Sequence, residues 1–308
     1  MTRKPRTFAA GAGLVWRRQR VLWWIYAVNL VLGFFGTGGM VDRAGTVLNH
    51  SLAASRLVHG FDLSTIVGLL MRPDDPLTPG PSNLFFMILF VAFMLFTTGG
   101  VIASYFRDER LPSGPFFEAC GYHFWRFVRL LVYFAIVLIP VGLVTQGAGL
   151  LYDRIDEQAI SPFPAVWFFA AAAVVILFVL MCVRLWFDMA QVIAVADDER
   201  RMHKALRRAA TLVRRNFGSL FWLYFRISLI GWLVFGITVQ FWKNYMRPES
   251  LGGALFVSQF AIVFWLASRL WQRASEALWY RQHQSAVFEP APETSPELVP
   301  ADSVAAMR

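Results

Sequence analysis

Charge is scarce in this chain. Asp, Glu, Lys and Arg make up 16% of its 308 residues, against roughly a quarter in soluble domains, which excludes a disordered chain and argues against an ordinary water-facing globule. Cysteine is scarcer still, at two residues, Cys120 and Cys182. The second lies inside an apolar run, so neither a disulfide framework nor a Cys-based metal site is expected, and both read as packing residues. Catalytic signatures are missing as well: no His-Glu-x-x-His, no Gly-x-x-x-x-Gly-Lys-Ser/Thr loop, no Gly-x-Ser-x-Gly elbow and no dinucleotide fingerprint. The five histidines are scattered, without carboxylates at ligand spacing. No enzyme activity, cofactor or metal is expected.

What is present is apolar surface. Hydrophobic residues reach 57%, with 29 Phe and 12 Trp, more than a globule of this size buries, so lipid is the expected solvent. Six runs approach the ~20 apolar residues that cross a hydrocarbon core: 21–37, 84–102, 128–144, 165–183, 220–241 and 252–270. They are continuous rather than alternating, which selects helices over barrel strands. The first follows Arg3, Lys4, Arg6, Arg17, Arg18 and Arg20. It resembles a signal peptide in that respect, but it is too long and lacks a small-residue cleavage site, so it reads as a retained anchor.

The fold class expected is an all-α integral membrane protein. A basic cytoplasmic arm covers residues 1–20, a six-helix transmembrane domain residues 21–280, and a disordered cytoplasmic tail, rich in Pro, Glu, Ala and Ser, residues 281–308. In the large outward loop between the first and second runs, Val47, Leu48, Leu52, Leu57 and the run from Leu63 to Met71 predict two short helices on the outer membrane face. Pro140 predicts a kink in the third span, and Gly99-Gly100 predicts a close helix contact.

Loop charge sets orientation. The N-terminal arm is basic. The loop around Arg107 to Arg126, with Arg129 just beyond it, holds four Arg against Asp108, Glu109 and Glu118. The segment from Asp197 to Gly218 is the most basic, with seven Lys and Arg. The intervening loops are balanced or, at Asp153, Asp156 and Glu157, acidic; a solvated outward loop explains that cluster. By the positive-inside rule both termini fall in the cytoplasm.

The most basic segment also has helical order. Met202, Leu206, Ala209, Val213 and Phe217 recur at steps of three and four, while Arg200, Lys204, Arg207, Arg208, Arg214 and Arg215 fall mainly on the other face. This is the pattern of an amphipathic cytoplasmic interfacial helix, apolar toward acyl chains and basic toward anionic headgroups, started by an Asp197 or Asp198 cap and ended by a bend at Gly218. Either the charges only fix orientation, or the face recognises anionic lipids or a protein partner. Nucleic acid is not an expected partner, because no reading fold surrounds the patch.

A second group of charges sits within the spans. Arg184 and Asp188 are four residues apart and share a helix face. Arg226 and Arg269 lie inside the fifth and sixth spans. An Arg facing hydrocarbon costs about 3 kcal/mol on insertion scales, so these residues either pair with Asp188 or Glu276, snorkel, or meet a lipid phosphate or other anion. The working expectation is an inward polar cluster of Arg184, Asp188, Arg226 and Arg269, held by Asp188.

Gly99-Gly-Val-Ile-Ala-Ser-Tyr-Phe-Arg-Asp-Glu-Arg with Phe116-Phe-Glu-Ala-Cys-Gly-Tyr-His-Phe-Trp-Arg-Phe, and Arg184-Leu-Trp-Phe-Asp-Met-Ala-Gln-Val-Ile-Ala-Val-Ala-Asp-Asp leading to Ala205-Leu-Arg-Arg-Ala, resemble an uncharacterised family of bacterial six-helix integral membrane proteins. The second stretch is also similar to the membrane region of some bacterial glycerophosphodiester phosphodiesterases. The resemblance spans the second to the fifth run and implies a compact helical unit whose inner face includes the loop after span two and the basic segment after span four. The phosphodiesterase catalytic domain has no counterpart here, so its activity is not implied. The function expected is a non-enzymatic scaffold or envelope factor contacting anionic lipids or protein partners. The alternatives are a transporter or transport accessory subunit and, behind it, an intramembrane enzyme of lipid metabolism. A continuous polar cavity linking Asn29, Gln259 and the inward Arg residues would favour transport.

Overall fold

The computed structural model of the chain describes residues 7–48, 81–107, 109, 111–158, 163–245 and 250–288. Among these there are eight helices and no strand: α1 (Thr7–Arg17), α2 (Gln19–Leu48), α3 (Pro81–Phe106), α4 (Ser113–Gln158), α5 (Phe163–Ala196), α6 (Met202–Arg215), α7 (Phe217–Tyr245) and α8 (Leu251–Phe288). All but α1 and α6 are long and apolar enough to cross a membrane. The protein is an all-α, multi-pass membrane protein, as the apolar runs predict.

Helix length divides the molecule into two zones. At 1.5 Å per residue, the 46 residues of α4 reach about 69 Å and the 38 of α8 about 57 Å. A hydrocarbon core is only ~30 Å thick. At one end of these helices the apolar residues are buried by protein. One core joins Phe127 and Leu130 of α4, Leu185 to Ala194 of α5, the inner face of α6, Leu220 to Ile227 of α7, and Trp279 and Tyr280 of α8. Beside it, Val15, Leu22, Ile25, Val101, Tyr105, Leu266, Leu270 and Ala274 form a second.

Toward the other end the same helices expose Ile136, Ile139, Leu143, Trp167, Val174, Leu233, Ile237 and Phe256. So much apolar surface is tolerable only against acyl chains. The spanning helices alternate in direction. Because α1 packs against α8, both described ends of the chain sit at the packed end.

Four sequence expectations change. Residues 113–126, expected in a loop, are the first turns of α4, and the acidic Asp153, Asp156 and Glu157 belong to its last turns. Residues 7–17 of the expected arm are a helix anchored to α8, where the Trp271 indole N–H donates to the Phe8 carbonyl at 2.8 Å. The first eight residues of the expected tail, 281–288, continue α8. Charge or a polar composition points to loop or tail in these segments, but a helix leaving the membrane keeps its hydrogen bonds and needs only one face covered. Finally, α7 begins at Phe217 directly after the Asn216 cap of α6, so the bend precedes Gly218. Beyond Leu48 the expected outer helices lie outside the described residues, as does the tail from 289. Pro140 sits within a helix assigned without interruption.

The Gly99-Gly100 contact is present and close. A Cβ on Gly99 would stand 2.9 Å from both the Ala119 carbonyl oxygen and the His123 Cβ; one on Gly100 would stand 2.5 Å from Cys120 Sγ and 2.8 Å from the Phe116 carbonyl oxygen. Only glycine lets α3 approach the backbone of α4 this closely, and Cys120 is fully buried in that seam.

Candidate anionic-lipid surface and buried polar cluster

The segment joining α5 to α6 is held by two adjacent carboxylates. Asp197 accepts hydrogen bonds from Tyr280 Oη (3.0 Å) and Gln284 Nε2 (2.8 Å) and pairs with Arg208 at 3.0 Å, tying α5, α6 and α8 together. Asp198 has a left-handed backbone, with φ of 48°, which an Asp tolerates better than most residues. Its carboxylate accepts from Arg126 at 2.6 Å and from Tyr122 at 3.0 Å, with the Arg126 guanidinium 4.4 Å from the Tyr122 ring centre. The Arg126 hydrogen bond, followed by that of Tyr122, holds the Asp198 carboxyl below its ordinary range. Neither aspartate caps α6 as expected: the cap position is Arg201, without a side-chain cap hydrogen bond.

Helix α6 corrects a second expectation. Met202, Ala205, Leu206, Ala209 and Val213 do share a face, but it is buried in the protein core rather than turned to acyl chains. The Trp186 indole N–H of α5 donates to the Leu206 carbonyl at 2.8 Å and fixes the helix there. Periodicity identifies a buried stripe but not what buries it. The opposite face is exposed at Lys204, Arg207, Arg208, Arg214 and Arg215, as is Arg200 just before the helix. Arg207, Arg208 and Arg215, with Asn216, Tyr280 and His283, line a groove of about 600 Å³ between α6 and α8. Among the described residues Arg208 is the one member of the basic face in an ion pair.

The inward polar cluster is partly as expected. Arg184 Nε lies 3.5 Å from Asp188 Oδ2, and both line a cavity of about 280 Å³ together with Arg269. Arg226 does not belong to it. That residue is exposed, its guanidinium 4.8 Å from the ring of Trp222 on its own helix. Its neighbours Leu223, Tyr224 and Ile227 occupy the buried face of α7, and 100° per residue turns position 226 away from them.

In its place the structure brings in residues of α8 that follow the expected end of the sixth span. Gln272 Nε2 donates to Asp188 Oδ2 at 3.4 Å and to Glu276 Oε1 at 3.2 Å. Arg273 donates to Thr98 Oγ1 at 2.8 Å and lines the same cavity as Arg269. Gln272 and Glu276 are buried, and Glu276 Oε2 has no partner. Glu276 is named in the sequence reading as a partner for Arg; Gln272 and Arg273 are not. Their signal was the polar stripe 269, 272, 273 and 276 at helical spacing, obscured by ending the span at Leu270.

No family model, curated protein or solved structure matches this chain.

Proposed function

We propose that this is a non-enzymatic protein of the bacterial cytoplasmic membrane, a scaffold or envelope factor with both ends on the cytoplasmic side, whose α6 face holds anionic lipid headgroups. The carrying observation is the fixed basic face. The apolar side of α6 is locked into the protein core, so its five exposed Lys and Arg residues keep one position beside the groove against α8. Exposed Arg17, Arg20, Arg107 and Arg129 lie at the same packed end, which the positive-inside rule places on the cytoplasmic side. Each basic residue near an anionic leaflet contributes about 1 kcal/mol.

Scaffolding is preferred to transport for a specific reason. Gln259 is engaged by Tyr26 Oη at 2.9 Å, and neither Gln259 nor Asn29 lines the cavity beside Arg269.

The test uses spin-labelled phosphatidylglycerol and phosphatidylcholine with the full chain in phosphatidylcholine bilayers. Phosphatidylglycerol should be enriched at the protein and should lose that excess as the Debye length falls from ~8 Å at about 0.15 M salt to ~3 Å at about 1 M. The quadruple variant Lys204→Gln/Arg207→Gln/Arg214→Gln/Arg215→Gln should lose most of it. Equal enrichment in variant and parent would refute the assignment to α6.

A further inference from the structure

The cavity of about 280 Å³ between α3, α4, α5 and α8 is separate from the α6 face and differs from it in kind. Its polar wall carries the guanidinium groups of Arg184, Arg269 and Arg273 with Asp188 and Gln191. The remainder is apolar and includes Leu131 and Phe134 of α4. Leu131 is exposed and opens the stretch of α4 whose Val132, Ile136 and Ile139 face outward, so the cavity's apolar side continues onto a surface that only lipid can cover.

Charge within this pocket is unbalanced. Even with both Asp188 and Glu276 counted as ionised, three guanidinium groups face two carboxylates. Among the described residues neither Arg269 nor Arg273 makes an ion pair. Arg269 has its guanidinium 5.4 Å from the Trp265 ring, and Arg184 is shared between Asp188 and the Tyr224 ring at 5.9 Å. Uncompensated guanidinium groups at the edge of hydrocarbon are costly and call for an anion. Arginine's forked donors match a phosphate's oxygens. In addition, Gln191 Oε1 is buried with no protein partner, an acceptor open to a donor on a bound ligand.

We propose that this cavity is a binding site for one phospholipid whose headgroup carries a phosphate and a hydroxyl, such as phosphatidylglycerol. The phosphate meets Arg269 and Arg273, and the hydroxyl donates to Gln191. The cavity takes the headgroup, while the acyl chains leave past Leu131 and lie along α4. The site rests on the membrane reading of the fold but not on the α6 surface, and its loss is separable from the loss of that surface.

The test is native mass spectrometry of the full chain released from bilayer discs of equal phosphatidylglycerol and phosphatidylcholine. The parent should retain one phosphatidylglycerol in preference to phosphatidylcholine. Arg269→Gln, which removes charge, and Leu131→Trp, which obstructs the mouth and leaves every charge in place, should each lower that retention by about tenfold. The quadruple α6 variant should retain the lipid as the parent does. Retention without headgroup preference, or undiminished retention in Leu131→Trp, would overturn the site. So would thermal stabilisation of the parent in phosphatidylcholine discs by inorganic phosphate equal to that given by phosphatidylglycerol and abolished by Arg269→Gln, because the ligand would then be a free anion.

Discussion

Replacing Gly100 by alanine adds one methyl group where α3 meets α4, and the surroundings determine its cost. That methyl would stand 2.5 Å from Cys120 Sγ, 2.8 Å from the Phe116 carbonyl oxygen and 2.9 Å from Phe116 Cε2. All three distances fall well inside ordinary contact. The carbonyl belongs to the backbone of α4 and moves only if the helix moves, and Cys120 is fully buried. Overpacking of this kind costs about 1–3 kcal/mol; the upper part of that range is expected, since two of the three clashes involve one residue's backbone and ring. Gly121, one turn along from Phe117 on α4, is the control: nothing lies within 4 Å of its added Cβ. Gly121→Ala should be neutral or stabilise by up to about 1 kcal/mol through helix propensity. The assay is the folded fraction surviving heating in mild detergent, read by fluorescence-detected size exclusion. Adding Cys120→Ala to Gly100→Ala removes the nearest clash, so the double variant should be more stable than the two single losses sum to, by about 1 kcal/mol. If Gly100→Ala matched the parent, or Cys120→Ala gave no relief, the close approach of α3 and α4 would be refuted.

Two other predictions concern charge. Asp198 has its carboxyl held below the ordinary aspartate value of 3.8 by Arg126 and Tyr122, so its contribution is complete above that value and is lost as pH falls through the lower folded value. The parent should therefore lose thermal stability on acidification below about pH 4 more steeply than Asp198→Asn; equal slopes would mean the latch contributes nothing, and the exposure of Asp198 keeps the expected difference small. Arg226→Leu should change stability by no more than about 0.5 kcal/mol, and its effect should add to that of Asp188→Asn, because Arg226 faces outward over Trp222. Strong non-additivity would place Arg226 back in the inward cluster.

The inward cluster marks where sequence reading reached its limit. Arg184 and Asp188 were legible because four residues on one helix fix their relation. The relation of Asp188 to Gln272 crosses 84 residues, and no local pattern carries it. Arg226 misled because an Arg inside an apolar run reads as inward by cost alone, whereas a neighbouring Trp and a short path to the interface are an equal solution. The Gly99-Gly100 seam was legible in kind, since paired glycines in an apolar helix announce a close neighbour, although Phe116, Cys120 and His123 as that neighbour were not.

By itself the sequence determined the solvent and the number of crossings: runs too long and too apolar for water, separated by charge, have few other ways to satisfy their backbones and bury their side chains. It also determined that α6 has one oily face and one basic face. Only the tertiary structure decided what the oily face meets, which arginines turn inward, and which stretches of α4, α5 and α8 are buried by protein. The physical reason is that periodicity and composition report the environment a residue requires, while protein and lipid can both supply an apolar one. Which of them does so depends on contacts between helices far apart in the chain.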